Sequence, residues 1–525
     1  MPTPDKNLGV RNRHYWKSLR IFTRCGLVSD CSPTSVVSVI GEFALLLSIC
    51  LTAFVANSST CRADKPTVDL SPQFEAVPEF FASSTFEPVV APPAVSQSTA
   101  TPTPAPIADE VARLRQEVDL LRRAEADRTA AEEKAAAKAK APVEETKPAL
   151  AISPELQLDN YFFAQDAQSR ATVGNMPDGA AFRRARIAVL GDYKMTAYRL
   201  EMDFAQLGRP TFLDVWGAIN DLPVVGQLKV GNFFEPIGLE RLTSNRFAPF
   251  MERNLPDQPY DPQRSPGAAI QNTHSDNHGL WTLGVFRPRT DNFGDGVTDS
   301  GDFAVDGRYT WMPYYDEESG GRYYMHLGTA HSYRRTNDHT ISFRAQPEAR
   351  VGAATPNVPF FIDTGDIASD SYQLHEIEFA CSMGSLYVQG EVFLTPVQQI
   401  AGPNLLFRGW YAQAGYYLTG EHRPFRRETA TFDRVQPFTE FFRVRTRRGV
   451  AKGWGAWEVA ARVSQADLTD ANIGGGKLTD LTVGLNWYLT PYMRFTSNYV
   501  HAFLNPAAAS HTGADIFGMR MQYDF

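Results

Sequence analysis

The chain has 525 residues, more than one ordinary domain, and a formal net charge of −8, which argues against bulk binding to nucleic acid. Aromatic residues make up 12% of it, with 20 Tyr and 34 Phe, yet the mean hydropathy is only −0.29. Rings in that number without long apolar runs exclude a helical membrane protein, whose spans need roughly 20 apolar residues.

Residues 1–63 read as an export segment. One apolar stretch runs from Val36 to Val55, preceded by Arg11, Arg13, Lys17, Arg20 and Arg24 and followed by the small residues Ala56, Ser58 and Ala63. A basic start, an apolar centre and small residues at the cut make a secretory signal. The rival is a single transmembrane anchor, but Glu42 interrupts the stretch and its apolar core is short for a span. Four of the five cysteines fall in the first 61 residues and only Cys381 lies in the body, so no disulfide framework or metal-ligand pairing is expected there.

Residues 64–106 are rich in Pro, Ser and Thr, ending in Thr101-Pro102-Thr103-Pro104-Ala105-Pro106, and predict an extended linker. Residues 107–141 predict a helix. Ile107, Leu114 and Leu121 take heptad d and Val111 and Val118 take a, the pattern of a short coiled coil that needs partner chains. Arg128 to Ala141 continues it as a semi-rigid helical spacer, closed by Pro142 and Pro148.

From residue 151 to 525 the period changes to two. Phe517, Met519, Met521, Tyr523 and Phe525 point one way, and Gly518, Arg520, Gln522 and Asp524 the other. Tyr198 to Phe204, Trp457 to Val463 and Leu481 to Trp487 split in the same manner. A soluble β-sandwich also alternates. Rows of charge on the polar face, ring clusters at strand ends such as Trp487-Tyr488 and Tyr416-Tyr417, and the terminal Phe525 favour a membrane barrel instead. Tight turns are expected at Leu489 to Tyr492 and Ala380 to Ser385, and longer loops at Thr290 to Gly296 and around Gly474-Gly475-Gly476. About 16 strands fit the length, so the fold class is all-β: a transmembrane antiparallel barrel preceded by a short α-helical coiled coil. Water would fill the middle at that size.

Several segments resemble the phosphate-selective porin O and P family. They are Phe182-Arg183-Arg184-Ala185-Arg186 with Tyr198 to Phe204, Val230 to Pro236, and Phe250-Met251-Glu252-Arg253. Leu418-Thr419-Gly420-Glu421, Trp454 to Glu458 and Leu485 to Tyr488 follow in order. The resemblance implies a homotrimer in the outer membrane, a constriction loop over Glu235 to about Pro262, and transport of phosphate or a related anion.

Net charge does not make such a pore anion-selective, so selectivity must be local. Alternation turns Arg184, Arg186, Arg199, Lys229, Arg462 and Arg520 into the lumen, and Arg241, Arg246 and Arg253 fall on the constriction loop. A planar guanidinium suits phosphate because it can bind two oxygens at once. The plainer reading is that these cations pair with Glu201, Asp203, Glu376, Glu378, Glu391 and Glu458 to stiffen the wall. Arg443, Arg445, Arg447 and Arg448 are expected to reach lipopolysaccharide phosphates or solvent. An alternative function is structural: a barrel anchor whose periplasmic coiled coil tethers the outer membrane to the cell wall. An enzyme is not expected, since His274, His278 and His331 lack a convincing nucleophile partner, and no cofactor or metal motif stands out.

Overall fold

Strict alternation lets a strand satisfy lipid on one face and water on the other, and closure removes the unpaired edges that lipid cannot solvate. The computed structural model describes residues 148–205, 209–288, 301–352, 358–446, 449–505 and 512–525. The export segment, linker and coiled coil expected before residue 148 lie outside the described residues, as does the loop expected at Thr290 to Gly296.

The wall has 16 strands, numbered here in chain order. The first eight are β1 (Ala151–Gln165), β2 (Gly179–Tyr193), β3 (Thr196–Asp203), β4 (Thr211–Leu222), β5 (Gly226–Phe234), β6 (Arg264–His274), β7 (Gly279–Phe286) and β8 (Phe303–Tyr315). The rest are β9 (Tyr323–Arg335), β10 (Ile367–Met383), β11 (Leu386–Gln399), β12 (Leu405–Tyr417), β13 (Ala456–Asp470), β14 (Ile473–Thr490), β15 (Met493–Asn505) and β16 (Thr512–Asp524). Each pairs antiparallel with the next. β16 returns to β1, with Glu155 opposite Asp524 and Gln165 opposite Ala514, so the sheet is closed.

The two faces separate as the sequence predicts. Met519 and Tyr523 are each 46% exposed on the outside, whereas Arg520 and Gln522 between them are 2% exposed. Rings gather in two belts. At one end Trp457 stacks on Trp487 at 5.1 Å, and Trp487 on Phe495 at 6.1 Å. At the other, Phe162 stacks on Phe517 at 6.4 Å and Phe303 lies 6.2 Å from Tyr333. Amphipathic rings prefer the water–lipid boundary, so the belts mark the two interfaces.

One barrel end carries tight turns, such as Gly384-Ser385 and Pro491-Tyr492, together with the start of β1 and Phe525. Gly384 has φ +69°, the left-handed conformation that a two-residue hairpin demands. The opposite end carries the long loops 235–263 and 336–366. Two corrections to the expected layout follow. Residues 418–455, at the tight-turn end, form a long segment instead of a turn. Conversely, Gly474-Gly475-Gly476 is not a loop but the start of β14. A Cβ on Gly475 would lie 2.6 Å from the Leu468 carbonyl oxygen and 3.2 Å from that of Asp363. The glycines therefore serve close approach of the 336–366 loop to the wall.

Three segments fold into the lumen: 235–263, 418–455, and the loop after β9, whose Glu348 accepts from Arg462 at 3.0 Å and from Thr482 at 2.6 Å. Loop 235–263 contains α1 (Leu239–Leu242) and two short 3-10 turns, and it lies against β12 to β16. Wall side chains donate to its carbonyls: Arg494 to Ala248 at 2.7 Å, Asn486 to Pro249 at 2.7 Å, Arg462 to Glu252 at 2.9 Å, and Arg520 to Met251. Tyr260 donates to the carbonyls of Arg408 and Asp467, each at 3.0 Å. Bonds from a charged donor are each worth about 1.5–3 kcal/mol, so the loop is pinned along one side of the lumen. Segment 418–455 enters from the tight-turn end. Phe425 and Phe432 pack with Leu239 of α1, and the Phe432 amide donates to Thr243 Oγ1 at 3.3 Å.

Candidate functional site

Because the constriction loop is fastened to β12–β16, open space remains beside β2–β6. It consists of two cavities that share Phe234 in their walls. The one toward the long loops holds about 560 Å³ and the one toward the tight turns about 320 Å³. At their shared wall the Arg264 guanidinium stacks on the Phe234 ring at 3.9 Å, with Arg241 and Arg253 at 5.8 and 5.7 Å.

Both linings are cationic in a chain that is acidic overall. Eight arginines line the larger cavity, among them Arg183, Arg184, Arg186, Arg253, Arg264 and Arg350, against the three carboxylates Asp203, Glu252 and Asp257. Arg199, Lys229, Arg308 and Arg426 line the smaller one against Asp214 alone. Much of that charge is paired. Arg183 bonds Glu252 at 2.8 Å, Arg186 bonds Asp203 at 2.8 Å, and Arg241 bonds Asp257 at 2.9 Å. Asp214 bridges Arg264 at 3.1 Å and Arg199 at 3.6 Å. Among the described residues, Arg184, Arg344 and Lys229 make no ion pair. Arg184 donates to Gln157 at 2.6 Å, Arg344 stacks on Phe360 at 4.3 Å, and the Lys229 ammonium sits 4.8 Å over Trp216.

On the constriction loop, burial disfavours the Glu252 charge, but the guanidiniums of Arg183 and Arg520 outweigh it and hold the carboxyl well below the usual range. Burial pushes the Arg253 guanidinium down to about 10 against the pull of Asp257, so it remains charged at neutral pH.

Of the residues singled out from the sequence, Arg184, Arg186, Arg199, Lys229, Arg241 and Arg253 line these cavities. Arg246 does not. It turns toward β1, donates to Ser153 at 2.6 Å and pairs with Glu155 at 3.5 Å. Arg462 and Arg520 face inward but are fully engaged, with Glu240 at 3.0 Å and with Asp159 at 2.6 Å, and hold the loop in place. Of the carboxylates expected to pair with them, Glu376 has no hydrogen-bond partner at either oxygen among the described residues. Arg443 is exposed on a hairpin (Phe442–Thr446 with Gly449–Gly453) at the tight-turn end. That exposure fits the solvent contact expected for the basic run, of which Arg447 and Arg448 lie outside the described residues.

Alternation missed Arg183 for a physical reason. The β1–β2 register shifts between Gln157 and Leu158, leaving Arg183 as an extra residue of β2 that turns inward to Glu252. Arg344 and Arg350 sit on an aperiodic loop and gave no signal. Arg308 did: it alternates with Asp306 and Thr310 along β8.

The family model described as phosphate-selective porin O and P matches residues 156–525. Porin O of Pseudomonas aeruginosa is 28% identical over 389 residues, covering 67% of this chain and 83% of that protein. An uncharacterized protein of Caulobacter vibrioides is 25% identical over 364 residues, covering 66% of this chain and 68% of that one. Among solved structures, a loop-L8 deletion mutant of OmpT, an outer membrane protein of Vibrio cholerae, gives a TM-score of 0.45 at 10% identity, over 72% of this chain and 100% of that one. The family match spans well over half of the sequence, and the chain belongs to the phosphate-selective porin O and P family of outer-membrane porins.

Proposed function

We propose that the barrel passes small anions, phosphate among them, down their concentration gradient. The observation that carries this reading is the cationic lining of the open lumen, with Arg184, Arg344 and Lys229 left without a carboxylate partner among the described residues. In a narrow, low-dielectric passage such charges concentrate anions and repel cations. Guanidiniums on both sides of the Phe234 waist can take a phosphate two oxygens at a time and hand it onward without a deep single well. Asp214 at the waist tempers the binding, which favours release.

Titrating inorganic phosphate into a planar-bilayer chloride recording tests the reading. The expected result is saturable block of the chloride current. A current indifferent to phosphate would remove phosphate from the proposal. The same reading takes the working unit as a homotrimer with the N-terminal extension in the periplasm. Chemical cross-linking of the purified protein that stops at a single chain would contradict the first part. Protease cleavage of residues 64–147 on intact cells would contradict the second.

A further inference from the structure

The outer face of the wall brings together two histidines that the sequence keeps 44 residues apart. His331 on β9 and His375 on β10 are direct cross-strand partners. By alternation both project outward, in line with Tyr333 and Ile377, which are 44% and 46% exposed. Their Nδ1 atoms face each other at 2.8 Å, and the rings meet edge to face with centroids 5.1 Å apart. Tyr333, one outward position nearer the long loops, belongs to the aromatic belt, whereas Leu327 and Phe379 lie toward the middle of the membrane. The pair therefore stands at the membrane boundary, where water and headgroups reach it.

The far nitrogens fix the tautomers. Nε2 of His375 lies 3.1 Å from Gln373 Oε1, an oxygen that can only accept. Nε2 of His331 lies 3.2 Å from Thr329 Oγ1, whose own hydrogen goes to the Glu376 carbonyl at 2.8 Å, so this oxygen too is left to accept. Both Nε2 atoms therefore carry a hydrogen, and a neutral imidazole has only one. Each Nδ1 then presents a lone pair to the other across 2.8 Å. Two lone pairs at that distance repel unless an electrophile joins them. A shared proton would charge the pair, and most imidazole is neutral at pH 7. A metal ion meets the same need without a change of tautomer.

We propose that His331 and His375 bind Cu²⁺ through their Nδ1 atoms on the outer face of the barrel, at the long-loop side of the membrane. Imidazole suits copper, nickel and zinc, and Cu²⁺ heads the affinity order of the divalent series. Spacing selects among them. Two nitrogens about 2.0 Å from one metal stand roughly 2.8 Å apart at an angle of about 90°, and roughly 3.3 Å apart at the tetrahedral angle. The observed 2.8 Å matches adjacent positions of a tetragonal site, the geometry of Cu²⁺ and not of Zn²⁺. Gln373 and Thr329 hold the far nitrogens as outer-shell acceptors hold ligating imidazoles. Gly307, opposite His331 on β8, sets no side chain against it, which leaves room for water in the remaining positions. The site lies outside the barrel and does not depend on what the lumen passes.

The test is titration of CuCl₂ near neutral pH, read by calorimetry and electron paramagnetic resonance. It uses the purified protein in non-ionic detergent, prepared without a polyhistidine tag, with His331→Gln, His375→Gln and His274→Gln alongside. The expected result is a saturable site at micromolar Cu²⁺ whose spectrum is tetragonal and carries the splitting of two nitrogens. Binding should weaken roughly tenfold or more in His331→Gln and in His375→Gln, and stay unchanged in His274→Gln, which removes a histidine outside the pair. The proposal is overturned if micromolar Cu²⁺ does not saturate the wild type, or if all three variants bind as the wild type does. A spectrum with one nitrogen ligand overturns it equally. Should a variant fail to fold, the wild-type spectrum still decides.

Discussion

Replacing Lys229 by Gln isolates one charge. Three of the four cations of the smaller cavity have carboxylate partners: Arg199 with Glu201, Arg308 with Glu378 and Arg426 with Asp433. Lys229 does not, so it supplies much of the uncompensated field there. A cavity of 320 Å³ puts its wall charges about 6 Å from a centred anion, where one charge is worth roughly 0.7 kcal/mol at the dielectric of water and about 2.8 kcal/mol at an effective 20. The lower figure is already a factor of about three for chloride and about ten for the phosphate dianion. Single-channel recording at 0.05 M salt should therefore show chloride conductance at least threefold lower in Lys229→Gln and phosphate block about tenfold weaker. At 1 M salt, where the screening length falls to about 3 Å, the difference should nearly vanish. Conductance and block within twofold of wild type at low salt would refute the reasoning.

Other expectations follow from the same geometry. Asp214→Asn frees Arg264 at the waist and leaves Arg199 to Glu201, and the chloride-to-potassium permeability ratio should rise about tenfold, about threefold from each ion, by the same Coulomb estimate. Gly409→Ala places a Cβ 2.7 Å from the Tyr260 ring and 2.9 Å from Pro256, so it should dislodge the constriction loop, with noisier current and an unfolding cost of about 1–3 kcal/mol. Glu252→Gln removes the carboxylate that Arg183 and Arg520 share, and should lower stability by about 3 kcal/mol while tightening phosphate block. Thermal melts in detergent and the same block titration check the last two.

The wall was legible because its physics is local. A period of two tells lipid from lumen without any knowledge of neighbours, so Arg184, Arg199, Lys229, Arg462 and Arg520 could be turned inward from sequence alone. Where a neighbour decides, the reading stopped. The β2 bulge that turns Arg183 inward depends on the register against Gln157. The glycines at the start of β14 looked like a loop because the backbone that presses on them, at Asp363, is more than a hundred residues away. Segment 418–455 has no period, and its burial against Leu239 and Tyr324 is tertiary throughout. The constriction loop was expected only through a family resemblance, and which of its arginines face open space depended on the wall it docks against. Arg246 and Arg253, seven residues apart, went opposite ways for that reason.

The central claim is that the cations along β2–β6, and not the chain's overall acidity, set the sign of the pore. Reversal potential under a tenfold KCl gradient measures that sign directly. A potential drawn toward the chloride equilibrium value is the predicted result, and one drawn toward the potassium value would contradict the account.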